Sequence, residues 1–306
     1  MEQRKNGRYY GIGVIFTLAG GVCWGFSGAC GQFLIRQRGI DAGWLVSFRM
    51  LAAGVLMLLL SGAQMKSFSR VFDVWRSRRT ALHTLLFGVA GMAMCQLTYF
   101  TTIGLSNAGT ATVLEYLSPP MIVCYAAIRK KKFPGAGKLL VLVLALAGVF
   151  ILATHGRIGE LALSPEALIW GVLSAVAFAL NSLLPEGLMR KFSTLTVVGW
   201  GMVIGGVFLS VPYRVWAPAG VFDSGTWWAM AGIVAVGTLI SYTGYMEGLR
   251  RIGAEKANLY ACIEPVSAAL FAVLWLGSDI QPEDYLGFAC ILTAVALLSL
   301  MERKKQ

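Results

Sequence analysis

Histidine and charge are scarce in this chain of 306 residues, which has two His, 15 Asp plus Glu, and only 13% charged residues. The histidines, His83 and His155, stand far apart with no partner at ligand spacing. That excludes a histidine-built metal centre and argues against a His-activated nucleophile, so an enzyme is not expected. No Walker or glycine-rich phosphate loop is present, which leaves ATP drive without support. The six cysteines (Cys23, Cys30, Cys95, Cys124, Cys262 and Cys290) include no CxxC pair and sit in apolar stretches, where free thiols act as small hydrophobes. No cofactor is implied. Long polar linkers are missing as well, which leaves no room for a soluble domain.

Apolar sequence fills the space instead: 57% of residues are hydrophobic and the mean hydropathy is +0.68. Uncharged runs cover 10–35, 81–114, 139–156, 167–185, 192–213, 224–246 and 265–278. Several exceed the roughly 20 residues that cross a bilayer. The chain reads as an all-α, multi-pass integral membrane protein. The first run is too long for a signal-peptide core and is expected to be a retained span.

A net charge of +11 could suggest nucleic acid, but the basic residues lie in short clusters between apolar runs: Arg76/Arg78/Arg79, Arg129–Lys132, Arg250/Arg251 and Arg303–Lys305. That spacing belongs to cytoplasmic loops, and no nucleic-acid partner is expected. Breaking the runs at turns and charges predicts ten helices: 10–35, 42–61, 81–103, 108–128, 137–155, 166–188, 194–213, 225–247, 255–277 and 283–301. Gly104–Gly109 supplies the turn inside the long run from 81 to 128. Alternate loops then hold 21 and four Lys plus Arg, the four being Arg36, Arg38, Arg157 and Arg214. The imbalance places both termini in the cytoplasm.

The chain also contains a weak copy of itself. TYFTTIGLSNAGTATVLEYLSPPMIV (98–123) aligns with YTGYMEGLRRIGAEKANLYACIEPVSA (242–268), pairing Pro120 with Pro265 and Pro119 with Glu264. Two repeats of five helices each, 1–156 and 157–306, must cross the membrane in opposite senses. Inverted repeats suit alternating access, in which one set of contacts closes the outside and its mirror closes the inside.

Four places resemble the ten-helix EamA-type branch of the drug/metabolite transporter superfamily. They are CWGFSGA (23–29), SFRMLAAG (47–54), the mid-helix prolines of EYLSPP (115–120) and IEPVSAALFAVLWLG (263–277), and KLLVLVLALAGVFIL (138–152). The pattern departs from the family where the fourth helix runs into Arg129-Lys-Lys-Lys and the ninth ends Leu276-Gly277-Ser278-Asp279. The resemblance implies an inner-membrane or plasma-membrane carrier, commonly an exporter of amino acids, related metabolites or drugs.

Three ionisable residues lie inside predicted spans: Arg49, Glu115 and Glu264. Burial near the bilayer centre costs on the order of 3 kcal/mol each on insertion scales, so they should face protein or water. Either acid could serve substrate or proton. Arg49 could be structural or a gate, and an ion pair with one of the acids is the plain alternative. Pro119, Pro120 and Pro265 should free the carbonyls of Glu115, Tyr116 and Ala261, which must then find other partners. Polar and aromatic candidates gather at similar depth: Trp24, Gln96, Tyr99, Tyr116, Asn181, Ser182, Tyr242, Tyr245, Asn258 and Tyr260. Each alone could equally be core, but together they suit an amphipathic metabolite. Glu247 with Arg250/Arg251, and Glu186 with Arg190, read as interfacial pairs. Gly21/Gly25 and Gly201/Gly205 stand at GxxxG spacing, for helix packing first and dimerisation second, so monomer and homodimer both stay open.

These residues point to a secondary transporter of a small amphipathic solute, with a proton as the candidate coupling ion. A multidrug exporter of lipophilic cations and a non-transporting membrane scaffold are the alternatives.

Overall fold

The computed structural model describes residues 2–106, 108–154, 164–276 and 282–303, and these are mostly helical with no strand among them. Asn107 of the expected turn, His155, Arg157, the expected boundary at 156/157, and Gly277–Asp279 lie outside the described residues.

In chain order, α1 (Glu2–Gln32) runs through a π-helical turn to Gln37 and is followed by α2 (Ala42–Gln64). A continuous rod combines α3 (Arg78–Leu86), a π segment (Phe87–Ala93) and α4 (Met94–Leu105). Next come α5 (Ala108–Glu115), α6 (Ser118–Lys130), α7 (Ala136–Thr154), α8 (Pro165–Leu183) and the short α9 (Glu186–Met189). After α10 (Thr194–Ser210), a second rod joins α11 (Ser224–Val234), a π segment (Ala235–Ile240) and α12 (Ser241–Ile252). The chain closes with α13 (Ala254–Ala261), α14 (Glu264–Leu276) and α15 (Pro282–Arg303).

Local chemistry sets several starts. Asp41, Ser164, Ser193 and Asp223 each accept a backbone N–H of the first helical turn from the N-cap position of α2, α8, α10 and α11. Among the described residues, six helical runs are long and apolar enough to cross a membrane: 8–37, 42–64, 78–105, 110–129, 165–189 and 224–252. Shorter apolar helices cover Ala136–Ile151, Thr194–Ser210 and Tyr285–Leu298. Their outward faces carry apolar side chains such as Leu59, Ile169, Leu173, Val207 and Phe208, as a lipid-facing surface requires.

The same order of elements occurs twice. A rod interrupted by a π segment leads into a 12-residue helix, then an 8-residue helix, a two-residue break and a 13-residue helix, at 78–130 and again at 224–276. Contacts follow the same exchange. The first helix, α1, packs on α12, α13 and α14 as α8 packs on α4, α5 and α6, while α2 meets α10 and α7 meets α15. The helix starts put Pro119 opposite Pro265 and Ser118 opposite Glu264, one residue along from the pairing that the sequence match suggests.

The glycine pairs serve packing inside the chain. A Cβ on Gly25 would stand 2.8 Å from the Glu264 carbonyl oxygen, and one on Gly205 would stand 2.8 Å from that of Gly88. Close approach of α1 to α14, and of α10 to the first π segment, therefore needs glycine at these positions.

Candidate functional site

Both broken helices reach the centre of the protein. Proline lacks an N–H and its ring displaces the carbonyl four residues back, so Pro265 leaves the Ala261 carbonyl without its helical donor. The Tyr116 hydroxyl, from the break between α5 and α6, donates to that carbonyl and also to Glu264 Oε2 at 3.2 Å. Each interruption thus meets the other, and a group that proline frees in one half finds its donor in the other. Both Pro119 and Pro265 are buried, and Pro120 is half-buried.

Beside this junction lies a small cavity of about 30 Å³, lined by Trp24, Ser27, Arg49, Cys95, Gln96, Tyr99, Phe100, Glu115, Phe178, Tyr242 and Glu264. Glu115 is 6% exposed and accepts a hydrogen bond from Ser174 Oγ at 2.8 Å, with Cys95 Sγ at 3.9 Å. Glu264 is 4% exposed. Tyr99 shares a hydrogen bond with Thr112 Oγ1 at 3.0 Å, which fixes its hydroxyl at the wall. Gln96 donates to Met202 Sδ at 3.3 Å, and its Oε1 has no partner among the described residues.

Arg49 is 2% exposed and does not pair with either acid. Its guanidinium carbon lies 4.6 Å from the centre of the Phe100 ring, and Nη1 donates to Ser27 Oγ at 3.4 Å. Among the described residues, no carboxylate stands within 4.0 Å of it, so the expected alternative of an Arg49 ion pair is corrected.

The aromatic wall is built around Trp24. Its ring meets Tyr245, Tyr242 and Phe178 at centroid distances of 4.6, 5.0 and 5.8 Å. Behind it, Tyr245 shares a hydrogen bond with Ser182 Oγ at 2.8 Å, and Asn258 Nδ2 donates to Tyr245 at 2.7 Å and to Ser182 at 2.9 Å. Asn258 also reaches the Ala254 carbonyl at 3.3 Å. Ala254 and Leu183 line a second cavity of about 420 Å³, together with Arg129, Arg190, Glu186 and Lys256. The Tyr245–Ser182–Asn258 layer therefore spans from the wall of one cavity to the wall of the other.

Of the candidates named from sequence, Trp24, Gln96, Tyr99, Glu115, Glu264 and Arg49 line the central cavity. Tyr116 and Tyr245 touch its lining residues from behind. Tyr260 pairs with Tyr10 at 3.2 Å away from the cavity, and Asn181 is buried with neither amide atom bonded among the described residues. Sequence reasoning missed Cys95, Phe100, Ser174 and Phe178. Ser174 was within reach, as a small hydroxyl in the otherwise apolar run 167–180, whereas Phe100 and Phe178 carry no mark that separates them from core. Nearer the helix ends, Glu247 pairs with Arg250 and Arg251 at 2.7 and 2.8 Å as expected. Glu186 does not pair with Arg190 and accepts the Ala254 N–H at 3.3 Å instead, because α9 ends within one turn.

A profile of the EamA-like transporter family matches residues 11–154 and 166–300. A protein of Salmonella typhimurium, described as the uncharacterised inner membrane transporter YicL, is 36% identical over 301 residues, covering 96% of this chain and 97% of that one. An uncharacterised transporter of Archaeoglobus fulgidus is 24% identical over 74% of this chain and 78% of its own length. A solved crystal structure aligns with a TM-score of 0.75 over 96% of this chain and 98% of its own, at 16% identity.

Proposed function

This chain belongs to the EamA-like transporter family, a family of transporters and not of enzymes, and from that premise we propose that it exports a small amphipathic metabolite, an amino acid or related solute, across the inner membrane by alternating access. The observation that carries this reading is the meeting of two proline-broken helices at one buried cavity that both Glu115 and Glu264 line. Irregular backbone at that depth is tolerated where it is packed in protein or lines a water-filled path.

In this reading ten spans form two inverted five-helix repeats, 1–156 and 157–306, with both termini in the cytoplasm. The twofold order of elements and the exchanged helix contacts support the repeat. The balance of Lys and Arg supports the orientation. Rocking one half against the other moves the Tyr116 junction and the Tyr245–Ser182–Asn258 layer in opposite phase, so the cavity opens to one side at a time.

The two carboxyls supply a site that takes up and releases a proton, which makes a proton the coupling ion. The aromatic wall of Trp24, Tyr242 and Phe178 receives the apolar part of the solute. That same wall, with two acids, also favours a second reading as an exporter of lipophilic cations. The glycine contacts inside the chain support a monomer as the transporting unit.

Reconstitution into liposomes with a labelled metabolite panel, with and without a pH gradient, tests the proposal. Gradient-dependent movement of an amino-acid-like solute supports it, and movement of cations alone favours the second reading.

A further inference from the structure

Arg49 occupies an unusual position among the charged groups of this protein. It sits on α2 with 2% of its surface exposed, lines the central cavity, and has no carboxylate within 4.0 Å among the described residues. A guanidinium carries five N–H donors in a planar fork. One of these reaches Ser27 Oγ at the long distance of 3.4 Å, and Nε has no partner among the described residues. The Phe100 ring covers one face of the fork, which holds its plane while leaving the edge of N–H groups unused.

The acids of the cavity do not answer this need. Glu115 takes its hydrogen bond from Ser174, and Glu264 takes its own from Tyr116. A permanent cation without a partner in a low-dielectric interior is strongly unfavourable. A structural arginine would be bonded on most of its donors, and this one is not.

We infer that Arg49 is the receptor for an oxyanion, a carboxylate in the first instance, carried by the transported solute. The inference rests on the transporter reading above and names the chemistry of the same site. A carboxylate matches the guanidinium fork through two parallel N–H···O bonds, with Phe100 setting the plane. The body of the solute then lies against Trp24 and Tyr242. An organic acid or a zwitterion fits this arrangement, and a lipophilic cation without an acid group does not. The anion arrives on a soluble molecule, since Arg49 is enclosed by α1, α4 and α12 and turns no surface towards lipid headgroups.

The test uses the full-length protein in a neutral detergent, free of anionic lipid, with three matched probes: 3-phenylpropanoate, 3-phenylpropanamide and phenethylamine. Thermal unfolding is followed at rising probe concentration, since a ligand of the native state raises Tm. The expected result is a rise with 3-phenylpropanoate, none with the amide or the amine, and a loss of about tenfold or more in apparent affinity in Arg49→Gln. Arg49→Lys should retain part of the response. Stabilisation by phenethylamine or the amide equal to that by the acid overturns the inference, as does an unchanged acid response in Arg49→Gln, or no response to the acid in the wild type. Should Arg49→Gln fail to fold, the comparison of the three probes on the wild type decides by itself. A probe that binds through Arg49 while no labelled solute crosses liposomes would overturn the transport reading alone. Solute movement that 3-phenylpropanoate neither competes with nor slows would overturn the receptor alone.

Discussion

The hydroxyl of Tyr116 donates to the carbonyl of Ala261, a separation of 145 residues in the chain, and to Oε2 of Glu264 at 3.2 Å. Two interrupted helices are joined by one side chain. Replacing Tyr116 with Phe keeps the ring and removes both bonds, leaving the buried Ala261 carbonyl unpaired. The expected cost is about 1–3 kcal/mol of stability. A lower Tm for the purified variant with a loss of transport is the expected outcome, and a wild-type Tm would show that the junction carries no load.

Pro265→Ala restores a donor in α14 and permits the helix to close over the break. The Ala261 carbonyl then has a helical partner, and Tyr116 is left with Glu264 as its main acceptor. Stability should hold or rise slightly while transport falls at least severalfold. Equal transport rates in wild-type and variant liposomes would count against a role for the break.

The layer of Tyr245, Ser182 and Asn258 touches the lining of both cavities, through Trp24 on one side and Ala254 on the other. Asn258→Ala removes the donor that ties the layer to the Ala254 carbonyl. In a protein keeping Cys95 as its only thiol, alkylation of Cys95 by N-ethylmaleimide should become severalfold faster. An unaltered rate would mean that the layer is not a barrier.

At the opposite end of the helices, Asp223 caps α11 and pairs with Arg38 at 2.9 Å. The Thr226 backbone N–H, then its hydroxyl, then Arg38 hold the Asp223 carboxyl below the ordinary aspartate value. A depressed value contributes stability that is present above the unfolded value of about 3.9 and is lost as pH falls through the folded one. The Tm gap between wild type and Asp223→Asn should therefore be visible at neutral pH and shrink on acidification below about pH 4. A gap that stays constant with pH would contradict this.

Much of the helical layout was legible in the sequence because apolar runs, basic clusters and turn residues are local signals. The interruptions near Pro119 and Pro265 were legible for the same reason. The π segments were not, since Phe87–Ala93 and Ala235–Ile240 carry no residue pattern distinct from ordinary apolar helix. The twofold order of elements runs one residue off the alignment read from the sequence. Matching Pro120 to Pro265 favoured the better run of letters, whereas the backbone starts its helices at Ser118 and Glu264. The surroundings of Arg49 were also hidden. Which group faces a buried charge depends on how α1, α2 and α4 cross, and Ser27 and Phe100 are unremarkable until they do.

The central claim is that the cavity lined by Glu115 and Glu264 is the transport path. It is tested most directly in proteoliposomes that hold wild type, Glu115→Gln, Glu264→Gln or the double variant, loaded with labelled amino acids under an imposed pH gradient. The account predicts gradient-driven movement of a carboxylate-bearing solute by the wild type and at least tenfold slower movement by the double variant, with the protein inserted and folded in each case. Undiminished movement by the double variant would contradict it.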